Sequence, residues 1–222
     1  MTDIWNTRKQ SATWLENELF TESTVIHDGF NFIERCINIF NTTGKEERET
    51  IRGQFSRVCA ITLAKSNYFS LGCFELTLNA LAQESGALLR VVIETYELLV
   101  YLRLDTSRVE EVINDTLPSA GKIAQIISGD YKDLRSTLNE TASHFSYHIT
   151  SVRHLYDQDI NIMPLPRHSM KVLRTNLKTL NAFQVFVVFE AVNCLATINV
   201  DNNDLADEIE EWRNHSTNSF QE

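Results

Sequence analysis

From Ala87 to Leu104 the chain reads ALLRVVIETYELLVYLRL, and this stretch is apolar at almost every helical angle. Leu88, Leu89, Val91, Val92, Ile93, Leu98, Leu99, Val100 and Leu102 leave no polar face of useful width. A helix that is apolar nearly all round belongs in the middle of a bundle, with other helices wrapped on it. Working outward, hydrophobic residues recur at helical spacing almost everywhere, and alternation at period two is nowhere sustained. Only 7 Gly and 3 Pro punctuate 222 residues, too few for the tight turns of an all-β fold. The expectation is an all-α bundle of about seven helices, with Ala87–Leu104 at its centre.

On the N-terminal side, amphipathic helices are expected over Arg8–Phe20 and Thr24–Phe40. Together residues 1–42 would form a hairpin packed on a core bundle of residues 43–200. Thr43, Gly44, Lys45 and Glu46 have the spacing of a capping box. A long helix is expected to start there and run past Phe55, Val58, Leu63 and Phe74 to Leu81, bent at Gly72, with a turn at Glu84–Gly86. On the C-terminal side, Ser107–Glu110 is a second capping box, opening a helix that ends near Leu117 and Pro118. A short helix, Ala120–Ile127, follows. Ser128, Gly129 and Asp130 make a breaker, and the next helix would run from Tyr131 into the 150s. Gln158–Pro166 is expected as loop, and Pro166 suits the first turn of a long helix, Arg167–Val200. Residues 201–222 form an acidic tail, with six acidic residues in Asp201–Glu211 on a short exposed helix and frayed last residues.

Composition narrows the function classes. A net charge of -10 argues against binding nucleic acid over the whole surface, which needs clustered cations, although a local basic face is compatible with it. Cys36, Cys59, Cys73 and Cys194 lack C-x-x-C spacing and sit in apolar surroundings, so they read as buried reduced thiols of a cytoplasmic protein. Met1–Gln10 lacks the apolar run of a signal peptide. Thr179–Val200 is the nearest thing to a membrane span, but Asn181, Gln184, Glu190 and Asn193 interrupt it, which favours a buried helix and no membrane partner.

Three features could carry chemistry. Arg90, Glu94 and Glu97 interrupt the apolar central helix, and the spacing of four lets Arg90 and Glu94 pair as they leave water together. Either this is a structural ion pair, or Glu94 orients a histidine from another helix. Next, His144 and His148 lie four apart and share a helical face. That spacing suits zinc only with a third ligand, which the sequence does not identify, so no metal or other cofactor is expected. General acid or base duty is physically easier for an imidazole. Finally, Arg167, Lys171, Arg174 and Lys178 fall within about a 60° arc of a 3.6-residue helix, opposite Met170, Leu173, Leu177 and Leu180. This stripe is either an ordinary solvated face, an RNA-backbone contact, or a dock for the acidic tail of a neighbouring subunit.

Ala87–Thr95, the apolar helix it opens, then Tyr131, Lys132, Asp133, Leu134 and the His-containing segment resemble the AbiV-like abortive-infection proteins of the HEPN superfamily of helical bundles. The resemblance covers roughly residues 55–151 and the final long helix. It implies a dimeric, defence-related or toxin–antitoxin protein, and, where the superfamily's ribonuclease signature is complete, metal-independent RNA cleavage. That signature is an Arg, often followed by a polar residue, with a His about four to six residues after the Arg. Asn139 and His144 match the polar position and the His, but Leu138 stands at the Arg position. Arg135 has eight residues between it and His144. An alternative alignment uses Ser143, Phe145 and His148.

Two functions follow. The chain is a non-catalytic, HEPN-like binding module that dimerises and engages a protein or RNA partner. Alternatively it is a ribonuclease with His144 or His148 as proton carrier, Glu94 as orienter, and Arg135, Arg153 or Arg90 as phosphate partner.

Overall fold

The computed structural model describes residues 4–138, 156, 159, 162 and 168–221. These residues form nine α-helices and one 3-10 turn, with a lone backbone bridge between Tyr156 and Ile162 and no strand among them. The helices are α1 (Ile4–Asn17), α2 (Phe20–Glu46), α3 (Ile51–Leu78), α4 (Ala82–Leu104), α5 (Val109–Ile113), α6 (Ala120–Ile126), α7 (Lys132–Leu138), α8 (Met170–Thr197) and α9 (Asn203–Ser219). The all-α bundle is as expected, with more helices than the seven read from periodicity.

Four long helices make the core. Both α2 and α4 run along α3 and α8, and α3 also touches α8 across the bundle. Ile26, Ile33, Phe40, Phe55, Leu63, Ile93, Leu99, Leu102, Leu177 and Leu195 are the large side chains at its centre, all essentially inaccessible. Each contributes about 1.5–3 kcal/mol by leaving water. No residue of α4 from Ser85 to Arg103 is exposed, because the 3-10 turn, α6 and α7 cover what α3 and α8 leave open. The central placement expected from its all-round apolarity therefore holds. All four cysteines are buried with free thiols, and burial pushes Cys36 and Cys73 up to about 12.

Helix ends differ from the expectation. Thr43–Glu46 is the last turn of α2, where the Thr43 hydroxyl donates to the Ile39 carbonyl at 3.2 Å instead of capping a new helix. The cap belongs to Thr50, whose Oγ1 accepts from the Gly53 amide at 3.0 Å. A Cβ at Gly53 would lie 1.9 Å from the Glu47 carbonyl oxygen, so only glycine lets the incoming chain cross there. Gly72 leaves α3 unbroken, and Glu84–Gly86 lies inside α4. The turn is instead at Asn79–Leu81, with Ala80 in the left-handed region at φ 62°. Asp105, not Ser107, caps the next segment, accepting from the Ser107 amide at 3.0 Å. Ser169 caps α8 by accepting from Val172.

The largest correction concerns the C-terminus. In place of a short exposed helix, α9 runs for 17 residues and buries Leu205, Ile209, Trp212 and Ser216 against α2 and α8. The Trp212 indole donates to the Val25 carbonyl at 2.8 Å, and Phe220 is buried beyond the helix end. Its acidic residues occupy the outer face, where Glu208 takes Arg35 of α2 in a two-pronged pair.

By length and composition, Met170–Thr197 is the one helix among the described residues that could cross a membrane. Here it lies within the bundle. Its polar interruptions are bonded to neighbours: Asn181 donates to the Ser216 hydroxyl, Gln184 to the Ile26 carbonyl at 3.3 Å, and Glu190 pairs with Arg103.

Candidate functional site

Beyond the exposed Glu84 in its first turn, the charges of α4 enter three pairs at three depths. Arg90 donates through Nε to Glu94 at 2.9 Å, and the two side chains are 34% and 24% exposed. The expected pairing is present, but at the margin of the bundle and not inside it. One turn on, Glu97 is the buried member, its side chain 1% exposed, and the cation it meets is Arg135 of α7 at 3.2 Å. At the far end, Arg103 pairs with the buried Glu190 of α8.

The Glu97–Arg135 contact is ionic and not a well-aligned hydrogen bond. Among the described residues, neither Glu97 oxygen nor Nε of Arg135 has a hydrogen-bond partner, while Nη1 of Arg135 also reaches the Ala120 carbonyl at 3.4 Å. Burial raises the Glu97 carboxyl above the usual carboxylate range. Arg135 pulls it down, and Glu94 pushes it up. The turn between α6 and α7 presses directly on this carboxylate, since a Cβ at Gly129 would stand 3.0 Å from Oε1.

Two anchors hold α7 in that position. Tyr131, just before it, stacks edge-on against Tyr96 of α4 (centroids 5.9 Å) and Phe183 of α8 (5.2 Å), with Phe186 completing the aromatic group. Arg135 supplies the second through Glu97. Burial raises both tyrosine hydroxyls, with negative charge from Glu190 at Tyr96 adding to it. Between α6 and α7 opens a cavity of about 730 Å³, lined by Ser119, Gln125, Ser128 and three cations, Lys122, Lys132 and Arg135. Lys122 and Lys132 are exposed at its rim, and Arg135, 12% exposed, lies deeper.

His144 and His148 lie outside the described residues, as do Asn139, Arg153 and Arg167. Of the basic stripe, Arg174 pairs with the buried Glu22 of α2 at 2.8 Å, and Lys178 donates to the Phe220 carbonyl at 2.9 Å. Lys171 is exposed beside them. The stripe thus faces the C-terminal end of this chain's own α9, where cations meet backbone carbonyls and the negative end of the helix dipole. Arg174 and Lys178 thus have partners within the chain, although Lys178, like Lys171, remains exposed.

A serine–histidine contact escaped the sequence reading. Ser11 of α1 lies 2.8 Å from Nε2 of His168, whose ring stacks on Trp14. The Ser11 hydroxyl already donates to the Leu78 carbonyl at 2.7 Å, so the imidazole is the donor and the serine oxygen the acceptor. A nucleophile needs the opposite polarity, with its proton aimed at the base. This pair ties α1 to the end of α3 and the start of α8. Among the described residues no three His, Cys, Asp or Glu side chains are grouped to hold a metal ion.

Spacing alone could not pair Glu97 with Arg135, because the two are brought together only by the α6–α7 turn. A usable signal existed for Arg103 and Glu190: Arg103 is the single charge between Glu97 and Asp105, Glu190 the single charge between Lys178 and Asp201, and charges isolated in apolar stretches seek one another. No family model, curated protein or solved structure matches this chain.

Proposed function

We propose that this chain is a helical binding module whose α6–α7 cavity takes a phosphate-bearing ligand, with short single-stranded RNA as the form to test first. The observation that carries the reading is the convergence of Lys122, Lys132 and Arg135 on one cavity in a chain of net charge -10. Such local concentration of cations attracts phosphate even where the overall charge repels it. Glu97 offsets part of this charge, but it lies behind Arg135 and fixes the guanidinium in place. Held rigidly, an Arg can offer its remaining N–H donors to phosphate oxygens without losing side-chain freedom on binding. The resemblance of Ala87–Thr95 and Tyr131–Leu134 to abortive-infection proteins supports a defence or toxin–antitoxin setting.

A second reading, RNA cleavage, is favoured by one observation: Arg135 lines the cavity, and the chain leads from α7 into the segment bearing His144 and His148. In it, Arg135 holds phosphate and a histidine moves the proton.

Fluorescence anisotropy with a labelled single-stranded RNA, at low and moderate salt, tests the first reading. Lys122→Glu/Lys132→Glu is expected to weaken binding by more than about tenfold, because two phosphate contacts turn repulsive. Unchanged binding in that variant, or none by the parent at low salt, overturns it. The same mixtures run on a gel distinguish the two readings. Intact RNA supports the binding module, and cleavage lost in His144→Ala or His148→Ala supports the ribonuclease.

A further inference from the structure

Among the described residues, the middle of one face of α3 is left uncovered, and the face is chemically self-complementary. Ile61 and Tyr68 are 69% and 74% exposed, and Leu71 is 40% exposed, although the opposite side of the same helix is fully buried. With Arg57, Ala64 and Glu75 they form a stripe, Arg57-Ile61-Ala64-Tyr68-Leu71-Glu75, whose steps are four, three, four, three and four. On a 3.6-residue helix these six positions fall within about an 80° arc, the a/d seam of a coiled coil.

The step pattern reads the same in both directions. If a second α3 lies antiparallel across the first, centred at the level of Ser66, a two-fold axis places Arg57 against Glu75, Ile61 against Leu71 and Ala64 against Tyr68. Each match is chemically favourable: opposite charges at both ends, two aliphatic contacts inside them, and a small residue facing a large ring at the centre. Glu75 holds Arg8 of α1 at 2.6 Å, in an exposed pair that is worth little in water and readily shared with an incoming cation.

We infer that this stripe is a self-association surface, and that its occupant is a second copy of the chain packed antiparallel along α3. The charge order argues for this partner over an unrelated protein, because an isologous interface requires one patch to complement itself under a two-fold rotation. The inference gives a location to the self-association expected from the sequence, and it does not depend on the α6–α7 cavity. From Arg57 to Glu75 the stripe is roughly 27 Å long at 1.5 Å per residue. One helix face of that length is smaller than the roughly 800 Å² per partner of a standard interface, so the dimer is weak and salt-sensitive.

Sedimentation velocity of the full chain, over a concentration series reaching several hundred micromolar, tests the surface. The parent is expected to show a growing dimer fraction, and Tyr68→Glu to weaken it at least tenfold. Arg57→Glu and Glu75→Arg should each be monomeric alone, the first carrying two acidic ends and the second two basic ends. Mixed one to one, they should recover a heterodimer. Tyr68 and Glu75 are exposed, so thermal unfolding of their variants by circular dichroism should be near the parent's, while Arg57 is half-buried and donates to the Arg48 carbonyl at 3.1 Å, so Arg57→Glu is compared at a temperature where it is fully folded. A parent that stays monomeric throughout, a dimer indifferent to these substitutions, or a mixture that fails to associate would overturn the inference.

Discussion

Glu97 shows how one buried carboxylate can organise a site. Ionised, it relies on Arg135, and removing that partner leaves an uncompensated charge in the interior, which costs about 3–5 kcal/mol. Arg135→Met is therefore expected to destabilise the protein by about 3 kcal/mol near neutral pH in urea unfolding, and Glu97→Gln/Arg135→Met to recover most of that loss. A single variant within 0.5 kcal/mol of the parent would contradict the role assigned to the pair, that margin being about what an ordinary surface change produces. The pH dependence has a definite sign. The folded-state pKa of Glu97 is raised, so the folded protein holds this proton more tightly than the unfolded chain does. Its contribution to stability is full below the ordinary carboxyl pKa and is lost as pH rises through the raised value. In Arg135→Met the deficit should accordingly shrink as pH falls. His168 has the opposite sign, since burial lowers its pKa. Its contribution is present above the ordinary imidazole pKa and is lost as pH falls through the lowered one. His168→Gln should flatten the acid side of the parent's stability profile between about pH 6.5 and its lowered pKa, and an unaltered acid limb would show that the histidine is not a determinant.

At the scale of elements, the sequence revealed helices better than helix ends, and the reason is physical. The usual terminator is a glycine in the left-handed region, yet no described glycine has positive φ. Ala80, Asp115, Ser128 and Asn199 take that conformation instead, at φ 53–62°, each closing a helix with paired amide bonds back to the preceding turn. Glycine as punctuation thus misled at Gly72 and Gly86, while the break read at Ser128–Asp130 does separate α6 from α7, and Gly53 and Gly129 serve close approach. Ser128→Gly is expected to raise stability by about 1 kcal/mol, since the side chain is exposed and only the left-handed strain is relieved. No gain in the unfolding midpoint would count against that strain. Acidity also misled: six acidic residues near the C-terminus read as a tail, while Leu205, Ile209 and Trp212, at spacings of four and three, already traced the buried face of α9. Trp212→Ala should cost about 3–5 kcal/mol, against about 0.5 or less for Glu211→Ala on the outer face. Equal effects of the two would mean that α9 is not docked as described.

For the whole molecule, the all-round apolarity of Ala87–Leu104 was sufficient to forecast a helical bundle built around that segment. It could not forecast which of its charges is buried. Glu94 and Glu97 lie within one turn of each other, and the choice depends on where α6, α7 and the aromatic group around Tyr131 settle. Long-range packing of this kind leaves no local trace in the chain. The bundle holds together because α4 is covered by α3, α8, the 3-10 turn, α6 and α7, and because that covering fixes Arg135 at the cavity. Native-state hydrogen exchange followed by NMR or mass spectrometry tests this most directly. Amides from Val92 to Leu102 are predicted to be among the slowest in the protein, exchanging only when the whole chain unfolds, while those of α6 and α7 open earlier. Exchange of the α4 amides through local opening, as fast as that of α6, would contradict the central position of this helix and the site built upon it.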